Sequence, residues 1–339
     1  MVKTYAKGIA LCCLLWSGLL LAQQPVGDQA DIAEPALEDS IIEEPAIEEV
    51  TIFGEAAGPG LWKIRNGDNT LYILGTATPL PKKMTWRSRE IESVLARAER
   101  LLPAGGKVDA DIGPIKAVQL YMQYRKLRRN DDKDSLESVL SAEQFARFEK
   151  LRQRYAPRQR DMLKLRPVLA AGELWREAVS RSGLSSRNDI NKTVEKLAKA
   201  RKVPIVQPTL RIDDPKGMLA EVGKIPLAAE LACMDSTLDR LEFDLGTARR
   251  QAEAWAVGDI DALRSTSALA QRETCWSALM QSPKLAAARQ QFDDAWLELA
   301  YESLERHKVT LAVVPMNELF RSNGVLELMR ARGYLVEEP

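Results

Sequence analysis

Histidine is almost missing from this 339-residue chain: there is one, His307. A metal centre with several imidazole ligands cannot be built from it, and neither can a triad in which histidine activates a serine and is itself oriented by an acid. His307 falls where a helical pattern closes, a place where an imidazole ordinarily meets the negative end of the helix. Thr78 and Ser88, the hydroxyls considered as nucleophiles, therefore have no evident base. There is no Gly-x-Ser-x-Gly elbow and no glycine-rich phosphate loop, so no cofactor is expected. Cysteine is scarce as well, with four in all. The longest apolar run, Gly8 to Leu21, is too short for a stable membrane span.

That run follows Lys3 and Lys7 and precedes Ala22, so residues 1–22 read as a secretory signal, with a periplasmic or secreted destination. An uncleaved anchor in the inner membrane is the alternative. Lipidation at Cys12 or Cys13 is disfavoured by bulky Leu11. Cleavage would leave only Cys233 and Cys275. In an oxidising compartment these can pair, or they can remain as two buried thiols.

Residues 23–60 read as a disordered acidic linker with prolines at 25, 35, 45 and 59. Residues 1–60 carry 10 acids against Lys3 and Lys7. The remainder has 48 − 2 = 46 bases and 48 − 10 = 38 acids, a net of +8. A basic body with an acidic arm favours anionic surfaces such as lipid headgroups or acidic glycans. The plainer reading is a solvated surface balanced by its own tail. The cluster Lys126, Arg128 and Arg129 reads as the close of a helix rather than a nucleic-acid patch.

The folded body, 61–339, opens with a hairpin signal. Trp62 and Ile64 alternate with Lys63 and Arg65, Asn66-Gly67 makes the turn, and Leu71 to Leu74 returns. A helix is expected over Ser88–Leu101. Another starts at Pro114 with Ile115, Val118, Tyr121 and Met122 at helical spacing. A large helical insertion spans about 115–306, with a short strand at 203–206 and a last helix over 284–306. Val309 to Val314 reads as a buried strand, followed by a loop, a helix closed by Gly333, and a strand at 334–336 paired in parallel. The fold class is therefore mixed α/β with a central, mostly parallel sheet. If the strands 71–74 and 309–314 lie parallel, the loops 75–81 and 315–322 leave one carboxyl edge and wall a common cleft.

The segments LWKIRNGDNTLYILGTATPLP and TLAVVPMNELFRSNGVLELMRARGYLVEE resemble the two ends of the TraB/GumN family, which is similar to the Tiki proteases. The resemblance implies a mixed α/β core with a helical insertion. It also implies a metal site for peptide hydrolysis, built on a Gly-x-x-His motif after each of these strands, together with acids. In this chain Gly75-Thr76-Ala77-Thr78 places Thr78 where a histidine would stand. Pro315-Met316-Asn317-Glu318 places Glu318 at the other. The acidic positions fall near Ala104 and Asn191.

The expected cleft residues are thus Gly75, Thr76, Thr78, Pro315, Asn317 and Glu318. A basic helix with Lys82, Lys83, Trp86 and Arg87 beside them suits sugar or peptide contact; the competing reading packs Trp86 under the loop with the lysines in water. Two functions follow. One is an exported, catalytically degenerate binding or regulatory module for a periplasmic peptide, glycan or protein. The other is a hydrolase with carboxylate ligands chosen from Asp109, Asp111 and Glu318, which would suit magnesium, calcium or manganese.

Overall fold

The computed structural model describes residues 58–82, 84–130, 135–187, 189–243, 245–264 and 268–339. The expected signal, nearly all of the linker and Lys83 lie outside the described residues.

β1 (Leu61–Asn66) and β2 (Asn69–Thr76) form the expected hairpin, turning at Asn66↔Asn69 around Gly67, whose φ of 57° suits a residue without Cβ. β3 (Leu80–Pro81), α1 (Arg89–Leu95), β4 (Arg100–Leu102) and β5 (Lys107–Asp109) follow. The helical middle begins with α2 (Pro114–Leu127), α3 (Leu136–Val139), α4 (Ala142–Tyr155) and α5 (Pro167–Arg181). It continues through β6 (Leu184–Ser185), α6 (Asp189–Ala200), β7 (Thr209–Arg211), α7 (Pro215–Val222) and α8 (Leu227–Phe243). α9 (Leu245–Val257), α10 (Ile260–Arg264), α11 (Ala268–Met280) and α12 (Pro283–Arg306) complete it. The chain then returns through β8 (Val309–Pro315), α13 (Met316–Phe320), α14 (Val325–Ala331) and β9 (Leu335–Glu337).

Local chemistry sets several of these boundaries. Proline, which has no N–H to lose, opens α2, α5, α7 and α12. Ser141 and Gln144 exchange hydrogen bonds in a capping box at the start of α4, and Gly333 ends the α14 segment at a φ of 88°.

The main sheet has the order β4-β8-β2-β1-β9 and is mixed. β8 pairs in parallel with both β2 and β4, whereas β1 pairs antiparallel with β2 and β9. The expected parallel pairing of 71–74 with 309–314 is present, as β2 beside β8. The closing strand differs from expectation: β9 joins the outer edge of β1 in antiparallel fashion, because β2 and β4 already fill both edges of β8. The 203–206 segment gives only a parallel bridge, Ile205 to Leu101. Leu101 N–H donates to the Pro204 carbonyl and Val206 N–H donates to Leu101, and Pro204 has no N–H with which to extend the ladder.

Helix boundaries near the sheet also move. α1 stops at Leu95, and Arg100 and Leu101, expected as the end of that helix, belong to β4 (Arg100–Leu102), drawn into the ladder by Thr310–Ala312. Residues 84–88 are irregular, not the expected basic helix.

Among the described residues two large apolar cores result, with a small third cluster at Val222, Ile225 and Ala278. One wraps the sheet with Trp62, Ile73, Leu101, Trp255 and Val313; the other lies among α4, α5 and α8 with Phe148, Leu174 and Met234. Each large side chain so buried contributes roughly 1.5–3 kcal/mol before entropy is counted. The Cys233–Cys275 disulfide joins α8 to α11 beside the second core. Among the described residues no helix is long and apolar enough to cross a membrane.

Candidate functional site

The register of β2 against β8 decides where the two loops go. Gly75 is level with Val314 and Thr76 with Pro315, so loop 75–81 and the segment 315–322, most of which is the helix α13 and not the expected loop, leave the same edge side by side. β4, parallel on the other side of β8 with Leu102 level with Ala312, sends the 103–106 loop from that edge too.

Gly75 is the floor of this edge. A Cβ there would stand 2.6 Å from Met316 Sδ and 2.8 Å from the Trp62 ring, so only glycine lets α13 begin directly above β2. Its carbonyl accepts a hydrogen bond from Trp255 Nε1 at 2.7 Å. Thr76 is buried, and the Thr78–Pro79 peptide bond is cis.

Glu318 stands in a closed network of charges. Its Oε2 meets Arg289 at 2.9 Å and Arg321 at 3.3 Å, while Oε1 accepts from Asn317 Nδ2 at 2.9 Å. Arg289 also binds Asp293 at 2.8 Å, and Arg321 approaches Asp293 at 3.7 Å. Burial would lower the Arg289 pKa, but Asp293 and Glu318 outweigh it and hold the guanidinium more firmly charged than usual. Trp276 lies under the same guanidinium, its ring 5.7 Å from Arg289 Cζ. Two carboxylates thus alternate with two guanidiniums. A divalent cation would meet donors already engaged and two positive charges within contact range, and the residues at this position do not fit a metal.

Ala104 and Asn191, where the resemblance places acids, come together. Asn191 Oδ1 accepts the Ala104 N–H at 2.8 Å, and Asn191 Nδ2 donates to Glu195 at 2.7 Å. A neutral amide here serves as a backbone cap.

The remaining candidates are dispersed. Lys82 donates to the Ser180 carbonyl of α5 at 2.7 Å, whereas Trp86 stays beside the site, packing edge-to-face on Trp255, the residue that holds the Gly75 carbonyl, with centroids 5.7 Å apart. Arg87 is half-buried. Asp109 lies exposed on β5, level with Arg211 of β7, and exposed Asp111 pairs with Lys116 at 3.2 Å. Among the described residues no three histidine, cysteine, aspartate or glutamate side chains are grouped to hold a metal ion. Ser88 Oγ donates to Glu92, and His307 binds Glu99 through Nδ1 at 2.8 Å. His307 precedes β8, so it lies at the opposite edge of the sheet from loop 315–322, about 20 Å away along a seven-residue strand. A surface cavity of about 580 Å³ also lies apart, between α12 and residues 207–209.

Arg289, Asp293, Arg321, Trp255 and Trp276 were not foreseen. Arg289 and Asp293 at i and i+4, and Glu318 and Arg321 at i and i+3, carried a local signal. Nothing local joins α12 to α13.

The family model described as the TraB/PrgY/gumN family matches residues 60–338. No curated protein and no solved structure matches the chain.

Proposed function

The chain belongs to the TraB/PrgY/gumN family, and from that membership we propose that it is an exported member without hydrolytic activity. Its paired loops act as a binding or regulatory surface for a periplasmic peptide, glycan or protein. One observation carries this reading: Glu318, at a motif-histidine position, has both carboxylate oxygens engaged by Arg289, Arg321 and Asn317. Thr78 at the other motif position offers a hydroxyl, a poor metal ligand beside imidazole. Ala104 and Asn191 supply no carboxylate, and His307 lies at the wrong edge. The apolar segment Gly8–Leu21 after Lys3 and Lys7 supports export.

Calorimetric titration of the purified full chain with zinc, manganese and calcium tests the reading. No saturable heat, and no cleavage of a peptide library with any of these ions, is the expected result. Stoichiometric binding lost in Glu318→Ala, with metal-dependent cleavage, would replace it with a hydrolase using carboxylate ligands. A mature N-terminus after Ala22, read by mass spectrometry of the exported protein, tests the location separately.

A further inference from the structure

The periodic apolar residues of α2 face outward. Ile115 is 75%, Met122 65%, Val118 58% and Tyr121 50% exposed, whereas Leu120, on the other side, is buried. The helix is held from that buried side, where Gln123 Nε2 donates to the Lys216 carbonyl of α7. The outward face changes along the axis. Its first two turns expose Ile115, Val118 and Tyr121 with Lys116 and Gln119 among them, and its last turn and the residues beyond carry exposed Arg125, Lys126 and Arg129. From residue 112 to 130 there are five cations and no carboxylate, with Asp109 and Asp111 before this stretch and Asp131, Asp132 and Asp134 after it. Two of these cations are paired: Lys116 with Asp111 at 3.2 Å and Arg128 with Glu173 at 3.2 Å.

We propose that α2 is a docking face for an anionic lipid surface, with Ile115, Val118, Tyr121 and Met122 entering the interface and Arg125, Lys126 and Arg129 resting on headgroup phosphates. Charge and shape favour this occupant. Among the described residues Arg125, Lys126 and Arg129 have no carboxylate partner, and exposed cations beside an apolar, tyrosine-bearing tip are what an interfacial helix presents to acidic lipid. A second copy fits less well. Laid antiparallel on itself, the helix would set its apolar half against a cationic half. Four side chains also fall short of the roughly 800 Å² per partner that a stable interface needs.

The test places an environment-sensitive fluorophore, nitrobenzoxadiazole, on the face itself. The full chain carries Met122→Cys for labelling and Cys12→Ser with Cys13→Ser to keep the label in one place. The label reports α2 alone, so attachment through residues 8–21 does not mimic the result. A blue shift with equal-part phosphatidylglycerol–phosphatidylcholine vesicles, absent with phosphatidylcholine alone and reversed by salt, is expected. Lys126→Glu with Arg129→Glu should weaken the apparent affinity by at least roughly fivefold per charge. Ile115→Ser with Val118→Ser, both exposed and tolerable to the fold, should weaken it as well. No shift with either vesicle overturns the proposal. So does a shift without lipid that grows with protein concentration, which would assign the face to a second copy. A label already blue-shifted without lipid, and returned to the aqueous value by deletion of residues 28–55, would also overturn it, assigning the face to the chain's own acidic arm.

Discussion

Trp255 Nε1 donates a 2.7 Å hydrogen bond to the carbonyl of Gly75. A helix of the insertion thereby holds the last residues of β2, at the point where the first loop leaves the sheet. Both groups are buried, so neither has water as a substitute. Trp255→Phe keeps most of the ring and leaves the carbonyl alone. It should cost about 1–3 kcal/mol, read from the urea midpoint at unchanged m-value.

Gly75→Ala is expected to be more disruptive than its single methyl suggests. The new Cβ would meet Met316 Sδ and the Trp62 ring inside 3 Å, forcing α13 to move. Overpacking of this kind costs about 1–3 kcal/mol. Pairing it with Met316→Ala, which vacates the nearer contact, should recover part of the loss in a thermal melt. Additive losses would contradict the geometry.

Reducing the Cys233–Cys275 bond should loosen the helical middle more than the sheet, because both cysteines sit with the second core. The separation of 42 residues corresponds to about 3–4 kcal/mol in the chain-entropy view. Cys233→Ser with Cys275→Ser should lower the melting temperature by several degrees. Hydrogen exchange in α8 and α11 should rise more than in β2 and β8.

Stability should fall in acid. Glu92 is held below its ordinary value by Ser88 and then Arg201, Glu149 by Arg152, and Glu221 by Lys224 and then Ser282. A lowered carboxylate pKa stabilises the fold above the unfolded-state value, near 4.5, and the contribution disappears as pH drops through the lowered values. Melting temperature should therefore be level above that value and decline below it. Glu149→Gln should start lower and decline less steeply, and a parallel curve would remove this carboxylate as a contributor.

Much of this architecture could be read before any coordinates. The run 309–314 and the returning strand at 71–74 were apolar enough to be interior, and Asn66-Gly67, Pro114 and Gly333 marked real boundaries. The single-histidine count needed no structure at all. Other features were out of reach for specific reasons. Helical spacing finds an apolar stripe on α2 but not which side α7 will cover, so Ile115 and Met122 face outward. Arg289 and Glu318 meet only because α12 passes over the edge from which α13 begins. The end of α1 at Leu95 depends on β8 recruiting Arg100–Leu102, a competition between local helix preference and a distant partner.

Thr70 pairs with Val309, and Arg100 pairs with Thr310. On the ribosome, then, the opening hairpin and β4 emerge long before the strand that fits between them. Until almost the whole chain has been made, each carries a bare hydrogen-bonding edge with nothing of its own to zip against. Nucleation of this sheet is a late event, and a nascent chain in that state is an open template for any stray strand, so its safety rests on whatever escorts it until β8 arrives.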